Sequence, residues 1–231
     1  MGKSIIQQAR GRGGPTYRVR RKAFSVKPGY LPDLSGEYEV IKLISSAGHS
    51  APIAKLKSGN KIFFNLAANG LYQGQKIKIN GEGNGDISEL GNLKNGTSVF
   101  NIENREKDGG KFIRTGGNSG FIMNKNAKFV TIKMPSKQEK QFDLKCRATV
   151  GIIAGQGRLE KPILKAGKQF YIKRAKSKLW PRTSAVKMNA IDHPFGGGRG
   201  KRIKSKIAKR NAPPGAKVGL LRPRRTGRKK R

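Results

Sequence analysis

The sequence is poor in acidic, cysteine and aromatic residues. Its 231 residues include 13 Asp and Glu against 51 Lys and Arg, which gives a formal net charge of +38 at pH 7. A small soluble domain needs a net charge of only about 2–8 for solubility, and a free chain this basic repels itself. A large polyanion is therefore the expected partner, and ribosomal RNA, messenger RNA, DNA and anionic lipid are the candidates.

Cysteine and histidine are almost missing, since the chain has one cysteine, Cys146, and two histidines, His49 and His193. A disulfide scaffold and a zinc finger are excluded, and a reducing compartment is expected. Metal ligation needs three or four clustered ligands, which the sequence does not offer. Cys146 is expected to be a small residue at a strand end near the core, because neither histidine is placed to activate its thiol.

Long hydrophobic runs are also missing, and no window approaches 18 apolar residues. No transmembrane helix, secretory signal or basic amphipathic membrane helix is therefore expected. Two nucleotide-binding motifs fail as well. The phosphate-loop pattern lacks its first glycine and its hydroxyl residue at Phe195 and Arg202, and the glycines at 81, 83 and 85 open no helix.

The central part of the chain has the pattern of short β-strands separated by Gly and Asn turns. Strict alternation over Gln75 to Ile79 predicts a half-buried strand, and Ser58-Gly59-Asn60 predicts a hairpin. The other predicted strands are Tyr38 to Ile44, Ile53 to Leu56, Ile62 to Asn65, Ser98 to Ile102, Lys111 to Arg114, Phe121 to Met123, Lys128 to Met134, Gln141 to Leu144 and Ala148 to Ala154.

About ten short strands are too many for one five-stranded barrel, so two small β-barrels in tandem are predicted, divided near Gly81 to Gly91. The fold is expected to be mainly β. The predicted domains are residues 36–82 and 83–160, flanked by a basic N-terminal extension over 1–35 and a basic C-terminal extension over 161–231. Helices are expected only around Pro162 to Ile172 and, briefly, near Ser184 to Asn189.

Charge is concentrated in the two extensions. Residues 161–231 carry 24 basic side chains and one acidic side chain, Asp192, whereas residues 36–160 carry 19 basic and 11 acidic side chains. Lys201 to Arg231 has too little apolar content to offset its ordering entropy of about 1–2 kcal/mol per residue. This segment is expected to be disordered in the free protein and to become ordered when it binds between RNA phosphates. There each arginine guanidinium can bind two phosphate oxygens, and glycine lets the backbone come close to a phosphate. RNA is favoured over DNA because small β-barrels are common RNA-binding scaffolds.

The two histidines support different interpretations. His49 lies in a loop before a strand and is expected at the surface or against RNA. His193 follows Asp192, so an acid–base role is one interpretation, and a hinge that shapes the glycine-rich loop against RNA is the favoured one. The residues alone thus leave three classes open: an RNA-binding structural protein, a nucleic-acid enzyme using His193, and a basic DNA-condensing protein.

Several collinear segments resemble the ribosomal protein L-two family. They are GRGGPTYR (11–18), SAPIAKL (50–56), GTSVFNIE (96–103), RATVGIIAGQGR (147–158), KPILKAGKQF (161–170), NAIDHPFGGGRG (189–200) and RNAPPGAKVGLLRPRRTGRKKR (210–231). They span nearly the whole chain. Phe195 and the ending from Arg210 to Arg231 resemble the archaeal and eukaryotic branch, because the bacterial branch has His at the Phe195 position.

The resemblance implies an OB-like barrel followed by an SH3-like barrel, with long irregular basic extensions. It implies a non-enzymatic, cytoplasmic constituent of the large ribosomal subunit that binds large-subunit rRNA and supports the peptidyl-transferase region and subunit association. The expected partners are rRNA and neighbouring ribosomal proteins, with the chain a monomer in the ribosome and no membrane contact. No cofactor of its own is expected, any structural Mg²⁺ being held by the rRNA. His193 occupies the place of the family's loop histidine, to which we assign a positioning role since peptide transfer is attributed to RNA.

The residues expected to bind rRNA share a basic side chain or a place in a predicted loop. They are Arg10, Arg12, Arg18, Arg20, Arg21, Lys22, His49, Arg158, Lys173, Arg174, Arg182, Lys187, Asn189, His193, Gly196, Gly197, Gly198, Arg199, Lys201, Arg202, Lys204, Arg210, Lys217, Arg222, Arg224, Arg225 and Arg228. Two stretches depart from the family pattern. Arg182 to Lys187 replaces a Val-Arg-Gly step, and Gly200 to Arg202 replaces a His-Gln-His step, so different local RNA contacts are expected there.

Overall fold

The computed structural model describes residues 2–200, 207–221 and 223. The chain forms two compact units, one from Val19–Lys176 and one from Met1–Arg18 with Ser177–Arg231. We call these the central unit and the terminal unit. The first holds all the larger sheets, and the second brings the two ends of the sequence into one body.

The first sheet of the central unit is antiparallel, with strands β1 (Glu37–Ile44), β2 (Ile53–Ser58), β3 (Lys61–Leu66) and β4 (Lys76–Lys78) in the order β3-β2-β1-β4. The predicted hairpin is confirmed, since Ser58 pairs with Lys61 across Gly59 and Asn60. Gly59 has a φ of 53°, a left-handed conformation that glycine adopts without steric cost. Alternate residues such as Tyr38, Val40, Leu56 and Phe63 are buried on one face.

The second sheet has six strands in the order β5-β10-β6-β7-β8-β9, and all its pairings are antiparallel. Its strands are β5 (Ile87–Glu89), β6 (Ser98–Phe100), β7 (Gly120–Lys125), β8 (Phe129–Lys133), β9 (Glu139–Asp143) and β10 (Arg147–Val150). All four residues of β10 are buried, which suits its place between two neighbouring strands. The prediction of a mainly β fold is confirmed, in keeping with OB-like and SH3-like modules.

Two hydrophobic cores fill the central unit. The first includes Tyr38, Leu56 and Ile77 on one sheet, and the second includes Leu93, Val130 and Ile132 on the other. Phe100 and Ile153 belong to the first core although they follow the dividing region of the sequence, and Ile87 joins it from within that region. Residues from the second half of the central unit therefore contribute to both cores. The predicted boundaries at residues 35, 82 and 160 stay predictions.

The glycine-rich dividing region is held by one carboxylate. Asp86 accepts hydrogen bonds from the backbone N–H of Lys78 at 2.8 Å and of Gly83 at 2.8 Å. A Cβ on Gly81 would overlap the same carboxylate. The three glycines thus form a turn around an aspartate side chain, which is why no helix follows them.

Buried polar side chains join the two sheets. Thr149 on β10 lies 2.7 Å from the Tyr30 hydroxyl and accepts from Asn65 Nδ2 of β3 at 3.0 Å. Asn101 Nδ2 donates in turn to Asn65 Oδ1 at 2.9 Å. Burial raises the pKa of the Tyr30 hydroxyl well above its ordinary range, so it stays protonated and able to donate.

One strand prediction was wrong and several short elements were missed. Lys111 to Arg114 forms only an isolated bridge between Ile102 and Phe112, because Gly109, Gly110 and Ile113 all have positive φ, which breaks a ladder. Strand β5 was not predicted, and neither were the parallel pair β11 (Ile207–Ala208) and β12 (Leu220–Leu221) of the terminal unit.

Two α-helices lie outside the sheets. Helix α1 (Ile6–Gly11) was not predicted, and its start is fixed by the Gln8 side chain, which accepts from the Ile5 N–H at 3.0 Å. Helix α2 (Ala166–Ala175) confirms the helix expected near Pro162 to Ile172, but it begins later, since Pro162 leaves the chain extended. A 3₁₀ turn at Ala185–Lys187 lies within the predicted short helix, and another spans Arg21–Phe24.

Candidate nucleic-acid interface

The terminal unit brings a segment near the start of the sequence next to segments that follow the central unit. The Lys3 N–H donates to the Ile191 carbonyl at 2.8 Å. At Gly215, which has a φ of 88°, an added Cβ would lie 2.8 Å from Gln8 Oε1. The start of the chain, the loop around His193 and the Pro213–Gly215 turn therefore pack together. This contact could not be predicted from residue patterns, because neither extension contains a local signal for the segment that packs against it.

The glycine-rich segment from Asn189 to Gly200, which we call the glycine loop, folds back on its own first residues. The Gly196 N–H donates to the His193 carbonyl at 2.9 Å, and the Gly197 N–H donates to the Met188 carbonyl at 3.0 Å. A Cβ on Gly196 would overlap the carbonyl oxygen of Asn189. Glycine is needed there because the loop closes on backbone rather than on side chains.

Changing Gly196 to alanine should open the glycine loop. The added methyl group displaces the chain, and the two backbone hydrogen bonds of Gly196 and Gly197 are each worth about 0.5–1.5 kcal/mol. We expect the amide hydrogens of this loop to exchange with solvent about tenfold faster, as measured by hydrogen–deuterium exchange. Gly11→Ala is the matched control, since nothing lies within 4 Å of the added Cβ. Equal exchange rates in both variants would contradict the conclusion that glycine is required at position 196 for the loop to close.

His193 is the buried centre of the glycine loop, with 7% of its surface exposed. Its Nδ1 accepts a hydrogen bond from the Phe195 N–H at 3.0 Å. An accepting Nδ1 carries no proton, so the imidazole is the neutral tautomer with its hydrogen on Nε2. No carboxylate of the described residues hydrogen bonds to the ring. The geometry therefore fits the hinge that the sequence favoured and offers no paired acid and base.

The predicted cations fall in three groups. The terminal unit holds Arg10, Arg12, Arg18, Arg182, Lys187, Arg199, Arg210 and Lys217, all exposed, with Asn189 and Gly196 to Gly198 in the glycine loop. The central unit holds Arg20, Arg21, Lys22, Arg158, Lys173 and Arg174. The remaining predicted residues lie outside the described residues: Lys201, Arg202, Lys204, Arg222, Arg224, Arg225 and Arg228.

Few of these cations meet an acidic partner. Lys78–Glu37, Lys94–Glu82 and Arg147–Glu103 are ion pairs within the described residues, and none of them uses a residue predicted to bind RNA. Arg20 is not one of the cations that lack a partner. Arg12 donates to the Ser4 hydroxyl at 3.2 Å and Arg18 to the Gly13 carbonyl at 3.0 Å, which leaves their positive charge uncompensated. An exposed, uncompensated cluster of this kind attracts phosphate.

Helix α2 adds an aromatic residue that the sequence argument missed. The helix buries none of its residues, and Tyr171 is 67% exposed beside the half-buried Lys173. Aromatic rings next to cations are suited to stacking on unpaired bases. The signal was present in the sequence, since Phe170 and Tyr171 interrupt a basic stretch, but only the helix showed that the Tyr171 ring is left uncovered.

His49 is less exposed than the sequence suggested. Its Nδ1 lies 2.8 Å from the Ser46 hydroxyl, and its ring meets Phe24 edge-on at 5.0 Å between centroids. The Gly48 N–H donates to the Ala23 carbonyl at 2.6 Å, which draws this loop onto the Arg21–Phe24 turn. Desolvation first, and the nearby Arg114 charge second, lower the pKa of His49. Contact between His49 and RNA stays a prediction.

The lowered pKa of His49 predicts a pH dependence. The folded state takes up its proton at lower pH than the unfolded state, so stability is lost as the pH falls through the ordinary value of about 6.5. We expect the free energy of unfolding of the native chain to decrease relative to that of His49→Gln on acidification. Urea unfolding of both chains on each side of this pH measures the effect, and a pH-independent difference would contradict it.

Cys146 is fully buried between β9 and β10, as expected of a small core residue. Burial is the main cause that raises the pKa of its thiol to about 11, so it stays protonated near neutral pH. Among the described residues no three His, Cys, Asp or Glu side chains cluster as metal ligands. In the same part of the chain, no helix combines the length and apolar character needed to cross a membrane.

Comparison with known proteins gives a consistent result along the whole chain. Residues 83–215 match the family described as Ribosomal Proteins L2, C-terminal domain. A protein of Archaeoglobus fulgidus named large ribosomal subunit protein uL2 is 42% identical over 98% of this chain and 99% of its own length. Proteins of the same name from Sulfurisphaera tokodaii and Hyperthermus butylicus are each 41% identical, over 99% and 100% of both chains respectively. These relatives are archaeal, which agrees with the branch indicated by Phe195.

Proposed function

Because the chain belongs to the uL2 family of large ribosomal subunit proteins, we propose that it binds large-subunit rRNA through its terminal unit and the basic segments on either side of the sheets. In this role it is a structural constituent of the large subunit. It holds rRNA in place around the peptidyl-transferase region and supports subunit association. The two β modules of the central unit anchor the basic segments.

The exposed cations of the terminal unit carry this proposal. Arg10, Arg12, Arg182 and Lys187 are exposed, and no carboxylate of the described residues pairs with them. Each cation that meets a phosphate releases condensed counterions, so binding depends strongly on salt. Arg adds a planar fork that binds two phosphate oxygens or stacks on a base. The glycine loop lets backbone N–H groups approach phosphate in the same unit.

His193 acts in this proposal as a positioning residue and not as a catalyst. Its Nδ1 accepts from the Phe195 N–H, and no carboxylate of the described residues hydrogen bonds to its ring. Peptide transfer itself is attributed to RNA. A His193→Ala chain that assembles normally yet leaves peptide transfer inactive would instead favour the enzyme interpretation.

The remaining features of the proposal follow from its setting. The chain acts in the cytoplasm as a monomer within the ribosome, beside other ribosomal proteins and away from membranes. It carries no cofactor of its own, and structural Mg²⁺ is held by rRNA phosphates. The departures at Arg182 to Lys187 and at Gly200 to Arg202 change local RNA contacts only.

Ultraviolet crosslinking in cells followed by sedimentation tests the proposal. RNA crosslinked to peptides from residues 1–22 and 158–221 should be large-subunit rRNA from the neighbourhood of the peptidyl-transferase centre. The chain should co-sediment with large subunits until high salt or denaturant removes it. Crosslinks mainly to other RNAs would overturn the proposal, and equal affinity for duplex DNA and rRNA in moderate salt would favour the DNA-condensing alternative.

A further inference from the structure

The terminal unit contains a groove of about 600 Å³, and several of the residues predicted to bind rRNA lie in its wall. One wall is a face of helix α1, where Ile6, Gln7 and Arg10 line the space at positions one turn apart. The facing wall is the chain from Leu179 to Asn189, and His193 contributes from the glycine loop. We call this the α1 groove. Its volume lies within the range of about 300–1,000 Å³ that small-molecule sites occupy.

The lining of the α1 groove combines an apolar part with a cationic rim. Leu179, Ala185 and Met188 are half-buried and supply the apolar part. Arg10 lies on the helix side, with Arg182 and Lys187 opposite, and all three are exposed. Asp192 is the single acidic residue of the lining. Such a lining suits a ligand that is flat and uncharged at one end and anionic at the other.

His193 adds a hydrogen-bond donor to this lining. Its Nδ1 is occupied by the Phe195 N–H, so Nε2 is the ring nitrogen that carries the proton. Within the described chain no residue accepts from Nε2, although the side chain is more than nine-tenths buried. His193 lines the α1 groove, so a ligand in the groove can supply an acceptor for this nitrogen.

We propose that the α1 groove takes a single nucleotide turned out of an rRNA strand. This inference rests on the proposed function and names the part of the RNA that the site receives. The base lies against Leu179, Ala185 and Met188, and an acceptor on its edge receives the hydrogen of His193 Nε2. The flanking phosphates lie among Arg10, Arg182 and Lys187.

Three observations favour a nucleotide over a peptide side chain. Three cations against one carboxylate select an anionic chain. An apolar slot beside cations is the arrangement by which proteins hold unstacked RNA bases. The Nε2 donor of His193 matches an acceptor on a base edge.

A photoreactive methionine analogue tests the contact with minimal disturbance. The chain has four methionines, and among those that the structure describes only Met188 lines the α1 groove. Trypsin cleaves after Lys187 and Arg199, so Met188 is released in a peptide that contains no other methionine. Large subunits carrying the analogue are irradiated and digested. We expect the Met188–Arg199 peptide to carry one rRNA nucleotide, and Met188→Leu should remove that signal.

A cavity-filling variant tests whether the groove itself is required. Ala185→Phe should place a ring where the base lies and reduce the Met188 crosslink roughly tenfold, comparable to the loss of one base-stacking contact. Ala216→Phe, an exposed site of the same unit that does not line the α1 groove, is the matched control and should leave the crosslink unchanged.

The outcomes separate this inference from the proposed function. If the chain is in large subunits but the Met188 peptide is unmodified, or is attached to a protein, the nucleotide assignment is wrong and rRNA binding stands. A crosslink that persists undiminished in Ala185→Phe would also overturn it. If the chain is missing from large subunits, the proposed function itself fails.

Discussion

Replacing Glu103 with alanine should lower the free energy of unfolding of the full-length chain by about 3–5 kcal/mol, the usual cost of removing one partner of a buried ion pair. The Glu103 carboxylate is fully buried. Its oxygens accept from the Arg147 guanidinium at 2.7 and 3.1 Å. They also accept from the backbone N–H of Arg147 at 2.9 Å and of Gly109 at 3.0 Å. The substitution leaves four donors without their acceptor and a nearly buried positive charge without its counterion.

The loss of stability should also affect the contacts that Arg147 makes with other segments. Arg147 also donates to the carbonyls of Leu31 at 2.8 Å and Pro32 at 3.2 Å, so it ties the segment before β1 to β10. Urea unfolding at fixed ionic strength measures the change. The control is Glu106→Ala, an exposed acidic residue of the same loop, which should change stability by no more than about 0.5 kcal/mol. A loss below about 1 kcal/mol for Glu103→Ala would show that another group replaces the carboxylate.

Removing six cations from the terminal unit should produce the largest functional effect. If each contacts one phosphate, changing all six to alanine should make the slope of log affinity against log salt shallower by about 4–5. The affinity for rRNA at low salt should fall by several orders of magnitude. The six residues are Arg10, Arg12, Arg18, Arg182, Lys187 and Arg199. Filter binding of the full chain to large-subunit rRNA over a range of salt concentrations gives the slope.

An equal change of charge elsewhere distinguishes contact from general attraction. The control chain replaces six exposed lysines of the central unit that are not predicted to bind RNA: Lys57, Lys76, Lys107, Lys128, Lys137 and Lys145. Both variants lose the same formal charge. The control slope should change by less than about 1, because few of these lysines meet phosphate. Equal slopes in the two variants would mean that net charge, and not the terminal unit, determines binding.

The conformation of the glycine loop could be predicted only in part from its residues. The sequence predicted that this segment would be irregular, because Gly196 to Gly198 cannot favour a helix or a strand. It favoured a hinge for His193, in agreement with the bond between Nδ1 and the Phe195 N–H. The sequence could not predict that Gly196 lies against the Asn189 carbonyl and that this position therefore requires glycine. The two residues are seven apart in the chain, and the close contact of their backbones arises only in the folded loop.

The polar contacts between the two sheets could not be predicted from local residue patterns. Thr149, Asn65 and Tyr30 meet although 84 residues separate Asn65 from Thr149 and 119 separate Tyr30 from Thr149. In the sequence each is an ordinary strand or loop residue. Glu103 looked like one more acidic residue of the central region, yet it is the buried partner of Arg147.

Residue patterns were enough to predict three properties: the need for a polyanionic partner, the mainly β fold with its hairpin at Gly59, and the family. These follow from charge, from alternation along a strand and from collinear segments, all of which are local or additive along the chain. Three further features became visible in the folded chain. Segments on either side of the central unit form one unit, α1 and the chain before the glycine loop enclose a groove, and the Nδ1 of His193 accepts from the Phe195 N–H. The physical reason is that the unit and the groove depend on contacts between segments distant in sequence, and the energy of such a contact is not contained in either segment alone.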